Sequence, residues 1–293
     1  MESYKNILVV VEEQNFVTKA IARATTLAGY TNGKVNILLL KNNNFVSRLS
    51  TLSKNKHKPK TTPSVRSKDE LLQHMITKLA QKGINVNPEL LSCYSYADIL
   101  KEAQNKDIDT IVVSESKHSF WFKYQTPPVD EYLIGISPYP LLIVKEHTWH
   151  KDGHILSAVE LFNNKVEHQK LTEKVLEESE HFVQLLGGDC HMVDCYYGEK
   201  EDMSFNYIQT ETNQDIHLSI MKKYCHDHHL QEDNIHLSLE LPENAIKQLS
   251  IEVDSELVIV GDCGHRGLLS KFSTHVSEEV LNNINCDLLV LKP

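Results

Sequence analysis

The sequence contains no Cys-x-x-Cys pair and no apolar run approaching the ~20 residues that a membrane-spanning helix needs. It has no excess of basic residues. Its 30 Lys and Arg are outnumbered by 40 Asp and Glu, for a net charge of −10 and a pI near 5.9. That balance excludes general nucleic-acid binding, which needs a basic face, and suits a soluble chain kept apart from its neighbours by charge. The opening residues Met1 to Asn6 are polar and lack the basic flank and cleavage site of a signal peptide. The six cysteines, Cys93, Cys190, Cys195, Cys225, Cys263 and Cys286, show no disulfide framework, so a reducing cytoplasm is expected. Two enzymatic signatures are also missing: there is no Gly-x-Ser-x-Gly elbow and no Gly-x-x-x-x-Gly-Lys-[Ser/Thr] loop.

What the chain does have is an internal repeat. At 293 residues it is long enough for two domains. Ile7-Leu8-Val9-Val10-Val11-Glu12 reappears as Ile155-Leu156-Ser157-Ala158-Val159-Glu160, an offset of 148. Asp109-Thr110-Ile111-Val112-Val113-Ser114 reappears as Glu256-Leu257-Val258-Ile259-Val260-Gly261, and Leu141-Leu142-Ile143-Val144-Lys145 as Leu288-Leu289-Val290-Leu291-Lys292, both offset by 147. Three apolar runs held at nearly one offset predict two copies of one domain, at 1–148 and 153–293, joined by a short polar linker around Trp149 to Gly153.

Within each copy, strand and helix patterns alternate. Strands are expected at 6–11, 34–40, 85–92, 109–114 and 140–145, then at 154–160, 189–196, 234–240, 255–261 and 287–291. Helices are expected at 15–30, 68–82, 95–106 and 129–136, then at 165–187, 211–230, 242–252 and 269–284. Unbroken Val/Ile/Leu runs suit strands buried on both faces of a parallel sheet, and the alternation predicts two doubly wound α/β domains. The Lys-, Pro-, Thr- and Ser-rich stretch at 54–68 reads as a surface loop.

The C-terminal third carries a resemblance. Val258-Ile259-Val260-Gly261-Asp262-Cys263-Gly264-His265-Arg266-Gly267-Leu268, then Val276-Ser277-Glu278-Glu279-Val280-Leu281, then the closing strand from Cys286 to Pro293, resembles the universal stress protein family in its tandem form. The resemblance implies a five-stranded parallel sheet per domain, in the adenine-nucleotide-hydrolase-like fold. It also implies pairing of the two domains through their last strands, as an intramolecular pseudo-dimer that further homodimerisation would extend. Edge strands as apolar as 141–145 and 288–293 want a partner on their own account.

The resemblance further implies a nucleotide cleft where a glycine loop after the fourth strand cradles phosphate, because backbone amides must approach the anion with no side chain between. The candidate nucleotide-contacting residues are Glu160, Gly261, Gly264, His265, Gly267, Thr274 and His275. Thr274 and His275 stand where the family pattern has Gly-Ser or Gly-Thr, and both crowd the turn. The first copy departs further: Ser114-Glu115-Ser116-Lys117 replaces Gly-x-x-Gly, and Pro127-Pro128 replaces the later pair. Proline offers no amide hydrogen. Only Glu12, at the end of the first strand, persists. ATP is therefore a candidate ligand of the second copy only, and Phe120-Trp121-Phe122 with Tyr124, beside the first copy's cleft, reads as a loop that packs on the domain surface or covers a groove.

One further cluster, Cys225-His226-Asp227-His228-His229, invites a metal reading. On a helix Cys225 and His229 would share a face four residues apart, as half of a zinc site; the alternative is a polar helix end, where histidine suits the C-terminus. The function expected from all of this is a non-enzymatic stress-response protein that binds a small-molecule ligand, with no nucleic-acid partner. The alternatives are an ATP-binding protein with slow hydrolase activity, and an interaction module or apolar-ligand binder with no nucleotide site.

Overall fold

The computed structural model describes residues 4–13, 18–41, 67–116, 127–161, 165–196, 207–263 and 273–293; at 207–213 and 273–275 this extends to the backbone alone. The surface loop expected at 54–68 lies outside the described residues up to 66. Contacts divide the chain into two compact units, Met1–Ser119 and Phe120–Pro293.

The first unit runs β1 (Asn6–Glu12), α1 (Lys19–Thr31), β2 (Lys34–Leu40), α2 (Lys68–Gln81), β3 (Leu91–Cys93), α3 (Tyr96–Asn105) and β4 (Thr110–Ser114). Its strands lie in the order β3-β2-β1-β4, all parallel. Ile7, Leu8, Val9, Ile37, Leu38, Ile111 and Val112 are wholly buried, as strands covered on both faces must be. Helix α1 turns Ile21, Ala24, Leu27 and Ala28 inward at helical spacing and stops at Asn32, whose left-handed backbone (φ 52°) ends the ladder. Helix α2 opens on a reciprocal capping box, Ser67 accepting from the Glu70 amide and Glu70 from the Ser67 amide. The strand expected at 85–92 is reduced to an isolated bridge at Val86 and a three-residue β3. Pro88 supplies no ladder donor, and the Asn87 side chain takes the Glu89 amide, turning the chain locally.

The second unit runs α4 (Val129–Ile136), β5 (Leu141–Val144), β6 (His154–Val159), α5 (Val166–Leu186), β7 (Cys190–Cys195), α6 (Tyr207–Asp227), a single 3-10 turn, β8 (Ile235–Ser238), α7 (Pro242–Glu252), β9 (Ser255–Gly261), α8 (Ser273–Asn283) and β10 (Asp287–Leu291). Its strand order is β5-β10-β9-β6-β7-β8. Strands β10 to β8 are parallel and repeat the first unit's connectivity; β5 is antiparallel to β10. Helix α5 buries Leu171, Val175, Leu176, Phe182 and Leu186. The linker residue Trp149 stands edge-on to Phe182, ring centroids 5.7 Å apart.

The last strand of each sequence copy thus meets the other within this unit. Leu141, Leu142 and Ile143 face Val290, Leu289 and Leu288, so the pairing is symmetric about Leu142 and Leu289. Each is wholly buried, which for a leucine contributes about 1.5–3 kcal/mol. The symmetry extends to two lysines. Lys145 Nζ donates to the carbonyls of Leu281 and Ile284 at the end of α8. Lys292 Nζ donates to the carbonyl of Ile134 at the end of α4, at 2.6 Å. Lysines 147 residues apart therefore cap equivalent helix ends of each other's repeat. This pairing is why β5 and α4, which belong to the first copy by sequence, pack in the second unit.

Candidate functional site

In a doubly wound sheet the chain leaves neighbouring strands in opposite directions at one point, opening a crevice at their carboxyl ends. In the second unit that point lies between β6 and β9, registered Ala158 to Val260. Glu160 follows β6 and Gly261 closes β9, so the sequence-predicted acid and glycine do meet at one end of the sheet. Gly264, His265 and Gly267 lie outside the described residues. Thr274 and His275 stand in the first turn of α8 with side chains outside them.

Glu160 Oε2 lies 2.7 Å from His168 Nδ1 on the first turns of α5, with the carboxylate 61% exposed and the imidazole 14%. Gly261 sits against α5 so closely that a Cβ there would come within 2.6 Å of Leu171 Cγ. Helix packing alone therefore requires this glycine. Asp262 is fully buried: its carboxylate accepts from Lys292 Nζ at 2.8 Å, and its amide donates to the Leu291 carbonyl. Burial, then Glu160, Asp262 and Glu167, push the Cys263 thiol up to about 11. Lys165 opposes them, but the acids prevail at the described part of the loop after β9.

A second acid–imidazole pair lies at the end of β7, and the sequence did not point to it. Asp194 Oδ2 is 2.9 Å from His217 Nδ1 on α6, with side chains 2% and 7% exposed. Tyr196 packs on the His217 ring, centroids 4.9 Å apart. Burial raises the Asp194 carboxyl pKa against the pull of His217, and Glu160 raises it further. Asp194 carried one signal, a charge inside the strand-like run from Cys190 to Cys195; His217 carried none. In the first unit, Glu12 Oε2 accepts from the Ser116 hydroxyl at 3.2 Å, across the ends of β1 and β4. Lys117, Phe120 to Phe122 and Tyr124 lie outside the described residues.

The shared helical face of Cys225 and His229 is not formed. Helix α6 stops at Asp227, and His229 takes left-handed backbone, φ 54°, so the four-residue helical spacing does not apply. Cys225 is buried, and burial together with Glu232 pushes its thiol up. Among the described residues no group of three or more His, Cys, Asp or Glu is placed to hold a metal ion. No described helix is long and apolar enough to cross a membrane.

His228, in the same cluster, is a clamp. His228 Nδ1 lies 2.8 Å from Glu180 and Nε2 lies 2.9 Å from Glu173, both on α5. Both ring nitrogens can donate only in the imidazolium. Burial opposes that charge, but the two carboxylates outweigh it and the pKa is raised above 6.5. The clamp's contribution is therefore complete below 6.5 and is lost as pH rises through the raised folded value. His228→Gln should destabilise the protein at about pH 6 and differ little from the native chain at about pH 9 in urea melts. An equal difference at both pH values would count against the clamp.

A model of the universal stress protein family matches residues 3–145. Over its whole length the chain is similar to the universal stress protein E homolog of Haemophilus influenzae, 24% identical over 302 residues that cover 99% of this chain and 98% of the relative. Universal stress protein E of Escherichia coli K12 is 23% identical, with 100% and 95% covered. A putative universal stress protein from Pseudomonas aeruginosa UCBPP-PA14 has the same fold, with a TM-score of 0.77 at 20% identity over 99% of this chain and 93% of that one. A universal stress protein from Archaeoglobus fulgidus gives 0.67 at 16% identity, covering 99% and 97%. Residues 3–145 are thus a domain of the universal stress protein family, and the chain as a whole aligns from end to end with tandem members of that family.

Proposed function

We propose that the chain is a non-enzymatic regulatory protein of the stress response that binds a small ligand in the β6/β9 crevice of its second repeat. The observation that carries this reading is the pairing of Glu160 with His168 at a topological switch point, where doubly wound sheets take ligands. An exposed acid held by a nearby imidazole is oriented before any ligand arrives. The same observations argue against strong triphosphate binding. Asp262 is consumed by Lys292, and at Cys263 Glu160 and Glu167 outweigh Lys165.

The test is calorimetric titration with ATP and magnesium, on the native chain and on the Thr274→Gly, His275→Ser variant. The expected result is weak native binding that the variant strengthens, since the substitutions reopen backbone amides in the turn. Micromolar native binding that the variant fails to improve would make His275 a phosphate ligand and overturn this reading of the turn. Binding by neither form would remove nucleotides altogether. Native mass spectrometry of the purified chain then separates a retained ligand of another class from a pure interaction module.

A further inference from the structure

The two repeats place different chemistry at one position in the fold. In the first, Asn36 Nδ2 donates to Asn6 Oδ1 at 2.8 Å, and Asn87 Nδ2 donates to Asn36 Oδ1 at 3.0 Å. This is a ladder of amides at the amino end of the sheet. In the second repeat His154 opens β6 as Asn6 opens β1. His191 faces Leu156 in register as Asn36 faces Leu8, and His236 continues the row on β8. An uncharged ladder has become a row of imidazoles.

The rings touch. His191 Nδ1 lies 3.1 Å from His236 Nε2, their rings stack with centroids 5.3 Å apart, and the His154 ring stands edge-on to His191 at 5.4 Å. His154 Nδ1 is buried without a hydrogen-bond partner. Two ring nitrogens at 3.1 Å share one proton: one donates and the other must offer a lone pair. When both are protonated the bond is gone and two cations are in contact. Strand β8, which supplies His236, is the last in the order, has four residues and buries none of them fully.

We propose that this imidazole row is an acid-sensitive latch, in which protonation of His191 and His236 releases strand β8 from β7 while the amide ladder of the first repeat stays closed. Two carboxylates face the row, Asp189 just before β7 and Glu252 at the end of α7, and both favour the charged rings. At His191 burial, His236 and His154 outweigh Asp189; at His236 burial outweighs Glu252; both pKa values fall below 6.5. A histidine with a depressed folded pKa stabilises the fold above its unfolded value, and that contribution is lost as pH falls through the folded values. The latch therefore opens on the acid side, the reverse of the His228 clamp.

Hydrogen exchange of the full chain at about pH 7.5 and about pH 5, corrected for intrinsic rates, tests this over the range in which histidine titrates. Amides at 235–238 should lose about tenfold or more of their protection in acid, while 86–93 in the first repeat stays unchanged. His191→Asn with His236→Asn, which installs the first repeat's side-chain type, should abolish the response. Histidine NMR titration of the native chain should place both midpoints below 6.5 and does not depend on any variant folding. The latch is overturned if 235–238 stays protected in acid, if the double variant opens equally, or if either midpoint lies at or above 6.5.

Discussion

Replacing Lys292 by methionine is expected to destabilise the protein by about 3–5 kcal/mol, the cost of stripping one partner from a buried ion pair. Lys292 Nζ lies 2.8 Å from Asp262, whose side chain is 0% exposed, and also donates to the Ile134 carbonyl. Methionine fills the volume of the lysine stem but returns neither charge nor donor. Asp262 is left as a buried carboxylate without its lysine, and the end of α4 loses its cap. Adding Asp262→Asn should recover much of the loss, because the stranded charge rather than the missing bond dominates. Urea midpoints of both singles and the double close the cycle. Additive losses would mean that the two side chains do not act as a pair.

Asp194→Ala should cost about 2–3 kcal/mol, by removing the acceptor of a buried His217 nitrogen and the volume that filled the site. Asp194→Asn keeps the shape and an acceptor, so its loss should stay near 1 kcal/mol, the net worth of a neutral hydrogen bond. Thermal melts distinguish the two. If alanine and asparagine destabilise equally, the acceptor and shape that asparagine retains contribute nothing, and the loss comes from removing the carboxylate itself.

Most of the architecture could be read from the residues, for an identifiable physical reason. Continuous runs such as Ile7 to Val11 and Leu257 to Val260 have one low-energy environment, a strand covered on both faces, and the near-constant offset doubled every such inference. Strand β3 was harder because its ladder depends on where Pro88 and Asn87 break it. Of the site, Glu160 and Gly261 were legible because they terminate those strands. The Asp194–His217 and Asp262–Lys292 pairs were not, since each joins residues 23 or 30 positions apart on elements whose approach no local pattern encodes. The Cys225–His229 expectation failed at a helix end, where one left-handed residue decides whether a four-residue spacing means a shared face.

The symmetric pairing of β5 with β10 has a kinetic consequence. A strand whose partner is nearly its own copy cannot distinguish, by contact alone, the partner in its own chain from that of another molecule. What favours closure is the nine-residue connection between Val144 and His154, which ties β5 to the repeat that carries β10. A tether that short holds the partner at an effective concentration on the order of millimolar. At micromolar protein the intramolecular pair then outcompetes exchange roughly a thousandfold. Refolding from concentrated solution would erode that margin, and interlocked oligomers would form more readily than from dilute solution.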